Sequence, residues 1–378
     1  MAKDNKIALF SPYCSQNYGT VLQAFALAKV LQDKGVECAY LPWGLFKLSA
    51  WGRFTFLLRH PLYLYYQKKN KKHNKNDLKY DFLHEPEFQE IIKKNTQFVE
   101  DYIPVDSQKY YLDNLMTALK KYDKLIVGSD QTWCPDSLYQ YSPYYLPGIK
   151  NKGKKFAYAC SMGTLHVNDQ FRIFLKNKLK SFDLISCREE SNAEMLSILL
   201  DRDVPSVLDP TLLLNGNDWH NYTTYVKMPD EYILCYVLGE KDSIGQYAIE
   251  MGKRKGLPVY FIMTRPSTCK NENVIKSVGV CEFLWLIENC QYLVTDSFHG
   301  TIFALNFHRN VMSFDKHEGD SYDNGRIADV LAKFGLSNHY MNSAEYVEPA
   351  SIDYSKVDSI LNNMRKFSME YINRIIEY

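Results

Sequence analysis

Residues 6–41, KIALFSPYCSQNYGTVLQAFALAKVLQDKGVECAYL, decide the fold of this chain. A short apolar stretch opens the segment and a second one, at 36–41, closes it. Between them apolar residues recur at helical spacing from Val21 to Leu31, and Gly35 is a residue that commonly ends a helix. The pattern predicts a strand, a loop, a helix and a second strand. Such a βαβ unit implies a parallel sheet with a right-handed crossover.

The same alternation of strands and helices returns twice further along the chain. A first set of strands is predicted at 124–127, 156–160 and 184–187, and a second set at 232–238, 258–263, 292–295 and 310–314. Helices are predicted at 243–255, 283–289 and 301–307. We therefore predict an α/β protein with two Rossmann-like domains that face a cleft. Ligands of such folds bind at the carboxyl ends of the strands.

The predicted N-terminal domain spans residues 1–204 and carries an insertion of helices and loop at about 45–110. The C-terminal domain spans 205–354, and an amphipathic helix spans 355–378. Within the insertion, residues 51–79 contain eight Lys or Arg against one acidic residue, Asp77, and six aromatic residues precede the lysine run. This segment is either a solvated helix or flap, or a site of peripheral membrane contact.

Composition and charge exclude several classes of protein. The 378 residues are 46% hydrophobic and 24% charged, which is ordinary for a globular protein, and the net charge of +1 gives no reason to expect a nucleic-acid partner. No apolar run reaches the length of a membrane span, and the N-terminus lacks the pattern of a secretory signal. We expect a cytoplasmic protein. The nine cysteines include no C-x-x-C pair, so a zinc ribbon or a disulfide framework is not expected.

Several enzyme signatures are missing. No G-x-G-x-x-G follows the first strand, and there is no G-x-x-x-x-G-K-[ST], G-x-S-x-G or H-E-x-x-H. His, Cys and carboxylate residues do not cluster at the spacing of metal ligands. We expect neither a cofactor nor a metal ion.

Polar clusters follow the predicted strands. They are Asn17-Tyr18-Gly19-Thr20, Ser129-Asp130-Gln131, Arg188-Glu189 and Ser297-Phe298-His299-Gly300-Thr301. Several also precede a helix, whose N-terminus attracts anions. Each has a plainer interpretation: Asp130 and Ser297 as helix caps, Gly19 and Gly300 as packing residues, His299 as a structural histidine and Arg188 as part of a surface ion pair. Lys316 and Arg326 are further cations. These residues alone predict an α/β enzyme that binds an anionic small molecule.

The order of the motifs resembles that of the polysaccharide pyruvyl transferase family. The matching segments are 17–23 (NYGTVLQ), 127–133 (VGSDQTW), 187–191 (CREES), 208–212 (LDPTL) and 295–301 (TDSFHGT), with Glu282-Phe-Leu and Asn324-Gly-Arg-Ile327 around the last one. The resemblance runs from about residue 7 to 336 outside the basic insertion. It implies a fold like that of GT-B glycosyltransferases. It also implies transfer of pyruvate from phosphoenolpyruvate to a sugar, with formation of a cyclic ketal and release of phosphate.

The resemblance also implies roles for individual residues. Arg188 falls where the family has a donor-binding arginine, and His299 falls where many members have Arg-Leu-His; here that triplet is Ser297-Phe298-His299, so the arginine is absent. We expect His299, Asp130 and Arg188 to be catalytic. The expected donor site comprises Arg188, Ser297, His299, Gly300, Thr301, Lys316 and Arg326, on the side of the C-terminal domain. The expected acceptor site comprises Asn17, Tyr18, Gly19, Ser129, Asp130 and Gln131.

Two other functions remain open at this point. A GT-B glycosyltransferase that uses a nucleotide sugar would share the fold, and a non-catalytic sugar-binding module would tolerate the missing arginine. For the transferase, the expected partners are phosphoenolpyruvate and a sugar on a lipid carrier, which would place the protein at the inner face of the cell membrane through residues 51–79. Alanine variants of His299 and Arg188 are expected to lose activity without losing stability.

Overall fold

Two parallel sheets form the framework of the protein in a computed structural model. The structure describes residues 6–42, 84–111, 115–135, 142–147, 149, 153–164, 167–239, 241–265, 273–316, 325–342 and 345–378. The first sheet has five strands in the order β2-β1-β3-β4-β5, and the second has six in the order β11-β10-β9-β6-β7-β8. The prediction of two parallel α/β units is confirmed.

The strands are short, and most are buried on both faces. Their bounds are β1 Lys6–Phe10, β2 Glu37–Tyr40, β3 Lys124–Val127, β4 Lys155–Cys160, β5 Leu184–Cys187, β6 Ile233–Tyr236, β7 Val259–Ile262, β8 Val274–Ile275, β9 Tyr292–Thr295, β10 Asn310–Phe314 and β11 Tyr340–Met341. Continuous apolar runs such as that of β6 are typical of parallel strands, because helices cover both faces of the sheet.

The helices of the described residues connect and cover these strands. They are α1 Tyr18–Asp33, α2 Pro86–Tyr102, α3 Asp169–Leu179, α4 Glu190–Leu200, α5 Gly216–His220, α6 Asp242–Lys255, α7 Val280–Asn289, α8 Phe298–Asn306, α9 Arg326–Lys333 and α10 Tyr354–Glu377. A short 3-10 helix, Pro210–Leu212, lies in the connection between the two sheets. Helix α8 begins three residues before the predicted start because the Ser297 side chain caps it.

Helix α1 lies at the junction of the two units. It is apolar on nearly all sides, and most of its residues are buried. It packs against strand β2 of its own unit, and also against the 3-10 helix 210–212, α7 and α8. One continuous core therefore runs through both units, with Phe25 of α1 in ring contact with Trp219 and with Trp219 in contact with Phe303 of α8.

Two other helices join the units. In α2, Asn95 donates to the Ser15 carbonyl and accepts from the Val280 N–H, so one buried amide links the loop after β1 to the start of α7. Helix α10 lies within one residue of its predicted bounds and returns to the first unit. There the Tyr378 ring packs 5.3 Å from Phe156, while Ser368 accepts from the Leu208 N–H in the connection between the two sheets.

The predicted insertion is described only in part. Helix α2 and the chain to residue 110 belong to it, whereas residues 43–83, and with them the basic segment 51–79, lie outside the described residues. Among the helices within the described ranges, none combines the length and the apolar character needed to cross a bilayer.

Candidate functional site

A buried guanidinium lies at the centre of the site. Arg188 directly follows β5, and its side chain is only 3% exposed. Its Nη1 donates to Oδ2 of Asp209 at 3.0 Å, and its Nε donates to Oε1 of Glu189 at 3.1 Å. The Phe298 ring covers one face, with its centroid 4.3 Å from Cζ. Arg188 is therefore not part of a surface ion pair, as one alternative held, but the core of a buried ionic network.

The charges around Arg188 are unbalanced. Burial alone would lower the pKa of Arg188, but Glu189, Asp209 and Asp130 outweigh burial and raise it. Arg188 thus contacts two carboxylates, and the charge of a third, Asp130, also acts on it. Its Nη2 is buried and has no hydrogen-bond partner. Nε and Nη1 are already bonded to carboxylates, so Nη2 is the nitrogen available to a ligand. An anion that bound two nitrogens of Arg188 would have to break the ion pair with Glu189 or with Asp209.

Asp209 connects the two halves of the site, and sequence reasoning missed it. It caps the 3-10 helix 210–212, where Oδ1 accepts from both the N–H and the hydroxyl of Thr211. Its Oδ2 faces Arg188 and lies 3.7 Å from Nε2 of His299. Burial would raise the pKa of Asp209, but His299, Arg188 and the Thr211 N–H outweigh burial and hold it well below its usual range.

His299 is the second residue of α8, and its side chain is 10% exposed. Its Nε2 is buried without a hydrogen-bond partner. The other side of the ring meets helix α1: a Cβ built on Gly19 would lie 2.0 Å from Nδ1. The first turns of α1 and α8 therefore meet, and the imidazole fits there because position 19 has no side chain.

The first turns of α1 and α8 are capped. Asn17 accepts from the Gly19 N–H, and Ser297 accepts from the Gly300 N–H, so both residues serve as helix caps. The Thr301 N–H bonds to the Ser297 carbonyl, and the Thr301 hydroxyl bonds to that carbonyl and to Ser313 within the core. Gly300 packs against Thr295 and Tyr236. These contacts use the groups of Gly300 and Thr301 that were expected to hold the donor.

The residues expected to bind the acceptor fall into two groups. Tyr18 and Ser129 are buried, with the Tyr18 hydroxyl bonded to the Val278 carbonyl and the Ser129 hydroxyl to the side chain of Gln23. Asp130 and Gln131 are only half-buried. The Asp130 carboxylate accepts from the Thr20 hydroxyl at 3.2 Å and from the Gln131 N–H, and it caps none of the helices in the described ranges. Of the acceptor set, Asp130 has the side chain best placed to act on a ligand.

Asp130 also has an aromatic neighbour that the sequence did not single out. Burial raises the pKa of Tyr144, and the nearby charges of Asp130 and Tyr13 raise it further. Tyr13 lies in the loop after β1, half-buried against Tyr40. The charge of Asp130 thus acts on Tyr144, and Tyr13 interacts with Tyr144.

The other expected cations lie around this centre. Lys316 follows β10, next to β9 in the sheet, and its charge reaches the buried carboxylate of Asp296. Arg326 begins α9, which packs against α8. Helix α9 also carries Lys333, which donates to the carbonyl of Arg188 and to Ser206. Lys333 was not predicted, and it fixes the Arg188 loop from the second unit.

No three His, Cys, Asp or Glu side chains are grouped so as to hold a metal ion in the part of the chain that the structure describes. The centre of the site consists of Arg188, Asp209 and His299. The charge of Asp130 also acts on Arg188 and contributes to its raised pKa.

A family model for polysaccharide pyruvyl transferases matches residues 17–317, which is more than half of the chain. The chain belongs to the polysaccharide pyruvyl transferase family. The resemblance read from its motifs is thereby confirmed. A search of curated proteins gave no match.

Solved structures confirm the GT-B-like fold of this pyruvyl transferase family member. The UDP-GlcNAc 2-epimerase from Methanocaldococcus jannaschii is similar, with a TM-score of 0.50 and 12% identity, over 99% of each chain. A Listeria monocytogenes protein described as a UDP-N-acetylglucosamine 2-epimerase has a TM-score of 0.50 and 10% identity, over 97% of each chain. At such identities the likeness concerns the fold alone.

Proposed function

We propose that this protein transfers pyruvate from phosphoenolpyruvate to two hydroxyls of a sugar and forms a cyclic ketal. The observation that carries the proposal is a pair of buried nitrogens without a hydrogen-bond partner, Nη2 of Arg188 and Nε2 of His299, on two side chains that both approach Oδ2 of Asp209. Buried polar groups are rarely left without partners, so a pair of them marks a place for a ligand. In a chain of this family, an anionic donor is the ligand that suits them.

The reaction needs an acid, a base and a site for anions. Carbon C3 of the enol gains a proton, the bond from C2 to the phosphate oxygen breaks, and two sugar oxygens bond to C2. Of the two protons that the hydroxyls lose, one balances the proton gained by C3 and the other leaves with the phosphate. Each proton transfer assisted by a positioned side chain is worth about 10²–10⁴-fold in rate.

Each of these tasks has a candidate in the site. Nη2 of Arg188 is the contact for the donor carboxylate or phosphate. His299 donates the proton to C3, because imidazole can carry a proton near neutral pH. Asp130, half-buried and bonded to Thr20, accepts a proton from the sugar hydroxyl or binds the sugar. Lys316, at the same edge of the second sheet, supplies positive charge in place of the arginine that Ser297 replaces.

The acceptor in this proposal is a sugar on a lipid carrier, met at the inner face of the cell membrane. The support is the sequence of residues 51–79, with its basic residues beside aromatic ones. Lys and Arg near an anionic surface contribute about 1 kcal/mol each, and aromatic residues favour the headgroup zone. The proposed donor requires neither a cofactor nor a metal ion.

The test is mass spectrometry of candidate lipid-linked sugars after incubation with phosphoenolpyruvate, with phosphate release measured in parallel. The expected result is a gain of one pyruvate less one water. His299→Gln should reduce turnover at least about a hundredfold. His308→Gln is a matched control, since His308 also pairs with an aspartate, Asp358, but is 52% exposed. Release of a nucleoside diphosphate from a nucleotide sugar, with no reaction of phosphoenolpyruvate, would overturn the proposal in favour of glycosyl transfer.

The structure changes the expected behaviour of Arg188→Ala. That variant would leave the buried carboxylates of Glu189 and Asp209 without their cation, and such a loss costs about 3–5 kcal/mol. We now expect Arg188→Ala to lose stability as well as activity. His299→Gln is therefore the cleaner variant for activity.

A further inference from the structure

One carboxylate oxygen of Asp209 lies close to two basic side chains, those of Arg188 and His299. Oδ2 of Asp209 accepts from Arg188 at 3.0 Å and lies 3.7 Å from Nε2 of His299, while Oδ1 is fully used by Thr211. The Asp209 side chain has no exposed surface. Solvent therefore cannot take the place of either partner, and the charge of Asp209 acts on both at short range.

Several other charged groups near α8 have partners of their own. Asp296 accepts from the Leu238 and Gly239 N–H groups, Glu282 of α7 pairs with Lys94, and Lys333 of α9 pairs with Asp329. From α10, Arg365 donates to Asn306, and the charge of Lys316, after β10, acts on Asp296. From the first unit, Asp130 and Glu189 face Arg188. Asp209 is the carboxylate in ion-pair distance of the His299 ring among the described residues.

We propose that Asp209 is a positioning residue that holds the His299 ring in place and shares its charge between His299 and Arg188. In the proposed reaction, Asp209 sets the position of the ring that donates the proton. The role in catalysis rests on the proposed function, whereas the effect on the ring does not.

The shared oxygen predicts opposite effects for two substitutions. Asp209→Asn removes the charge but keeps an oxygen for the Thr211 N–H, so the ring should lose its proton at lower pH. Arg188→Gln removes the other cation from Oδ2, so the ring should keep its proton to higher pH. An opposite charge at this range shifts a titration by about 1 pH unit or more. A merely structural role of Asp209 would not move the two variants in opposite directions.

The experiment is an NMR titration of the His299 ring proton in the full-length chain, assigned by the signal lost in His299→Gln. Glu189→Gln is the matched control: Glu189 also binds Arg188, but its other partners are Ser161 and Asn192. The exposed ring of His308 should titrate identically in every folded variant and reports on global changes.

The expected result is a downward shift of about 1 pH unit in Asp209→Asn and an upward shift in Arg188→Gln, with a smaller shift in Glu189→Gln. An unchanged midpoint in Asp209→Asn, or a shift in the same direction in both variants, would overturn the proposal. If one variant does not fold, the direction of the shift in the other variant still tests the proposal.

Failure of the proposed function is distinguishable from this. In that case the wild-type protein neither binds nor consumes phosphoenolpyruvate, while the His299 ring titrates as expected.

Discussion

Gly19→Ala should destabilise the protein although it improves the local helix. Gly19 lies in α1 outside the left-handed region of backbone angles, so alanine suits its conformation and should gain about 0.5–1 kcal/mol over glycine. The added Cβ would however lie 2.0 Å from Nδ1, 2.2 Å from Cγ and 2.6 Å from Cε1 of His299. Forcing such contacts in a packed interior costs about 1–3 kcal/mol. The net expectation is a loss of stability of about 0.5–2 kcal/mol.

The same change should have the opposite sign when His299 is absent. In a His299→Ala background the clash is gone, so Gly19→Ala should stabilise by about 0.5–1 kcal/mol. The assay is denaturant unfolding of the four variants of this cycle. Gly245→Ala is the control, because Gly245 lies in helix α6 and its Cβ would meet only Phe261, at an ordinary 3.5 Å. Equal effects of Gly19→Ala in both backgrounds would refute the contact between α1 and His299.

Three further predictions concern other parts of the protein. Asp106 is buried and bonded to Lys121, Tyr110 and Tyr122; burial would raise its pKa, but these bonds and the Gln108 N–H lower it to about 2. Asp106→Asn should therefore cost about 1–3 kcal/mol at neutral pH, and the gap to wild type should close as pH falls below about 4 toward 2; a constant gap would contradict this. Activity should survive exhaustive EDTA treatment, and recovery on adding magnesium or manganese would disprove metal independence. Liposome flotation with anionic lipid should show binding at low salt that weakens at high salt, and it should be lost when Lys68, Lys69, Lys71 and Lys72 become Glu; equal binding by that variant would leave a solvated flap as the explanation.

Most of the framework follows from local sequence patterns. Strands β3, β5, β9 and β10 have the predicted bounds, because each is a short apolar run between turn residues. The predicted start of α8 was three residues too late, because the helical spacing of apolar residues becomes visible only after Gly300. The capping side chain of Ser297 determines where the helix begins. A capping serine is visible in the sequence, but whether it caps depends on the backbone around it.

The centre of the site could be predicted only in part. Arg188, His299 and Asp130 were singled out because polar residues after parallel strands gather at one edge of a sheet. Asp209 escaped because it follows no regular strand, and its chemistry depends on an approach to His299, which lies ninety positions later in the sequence. The two buried residues Tyr18 and Ser129 look like ligand residues in the sequence, since pattern alone cannot show that a hydroxyl is already bonded to a carbonyl or to Gln23.

The return of α10 to the first unit determines when that unit can be finished during synthesis. Domains usually fold from the N-terminus as the chain emerges from the ribosome. Here, Lys124 of β3 donates to the Ile376 carbonyl, and Tyr378 covers Phe156 of β4. The nascent first unit therefore keeps part of its apolar surface open through the synthesis of the whole second unit. A chain stopped before residue 354 would carry both sheets and still be exposed to aggregation on the side that α10 covers.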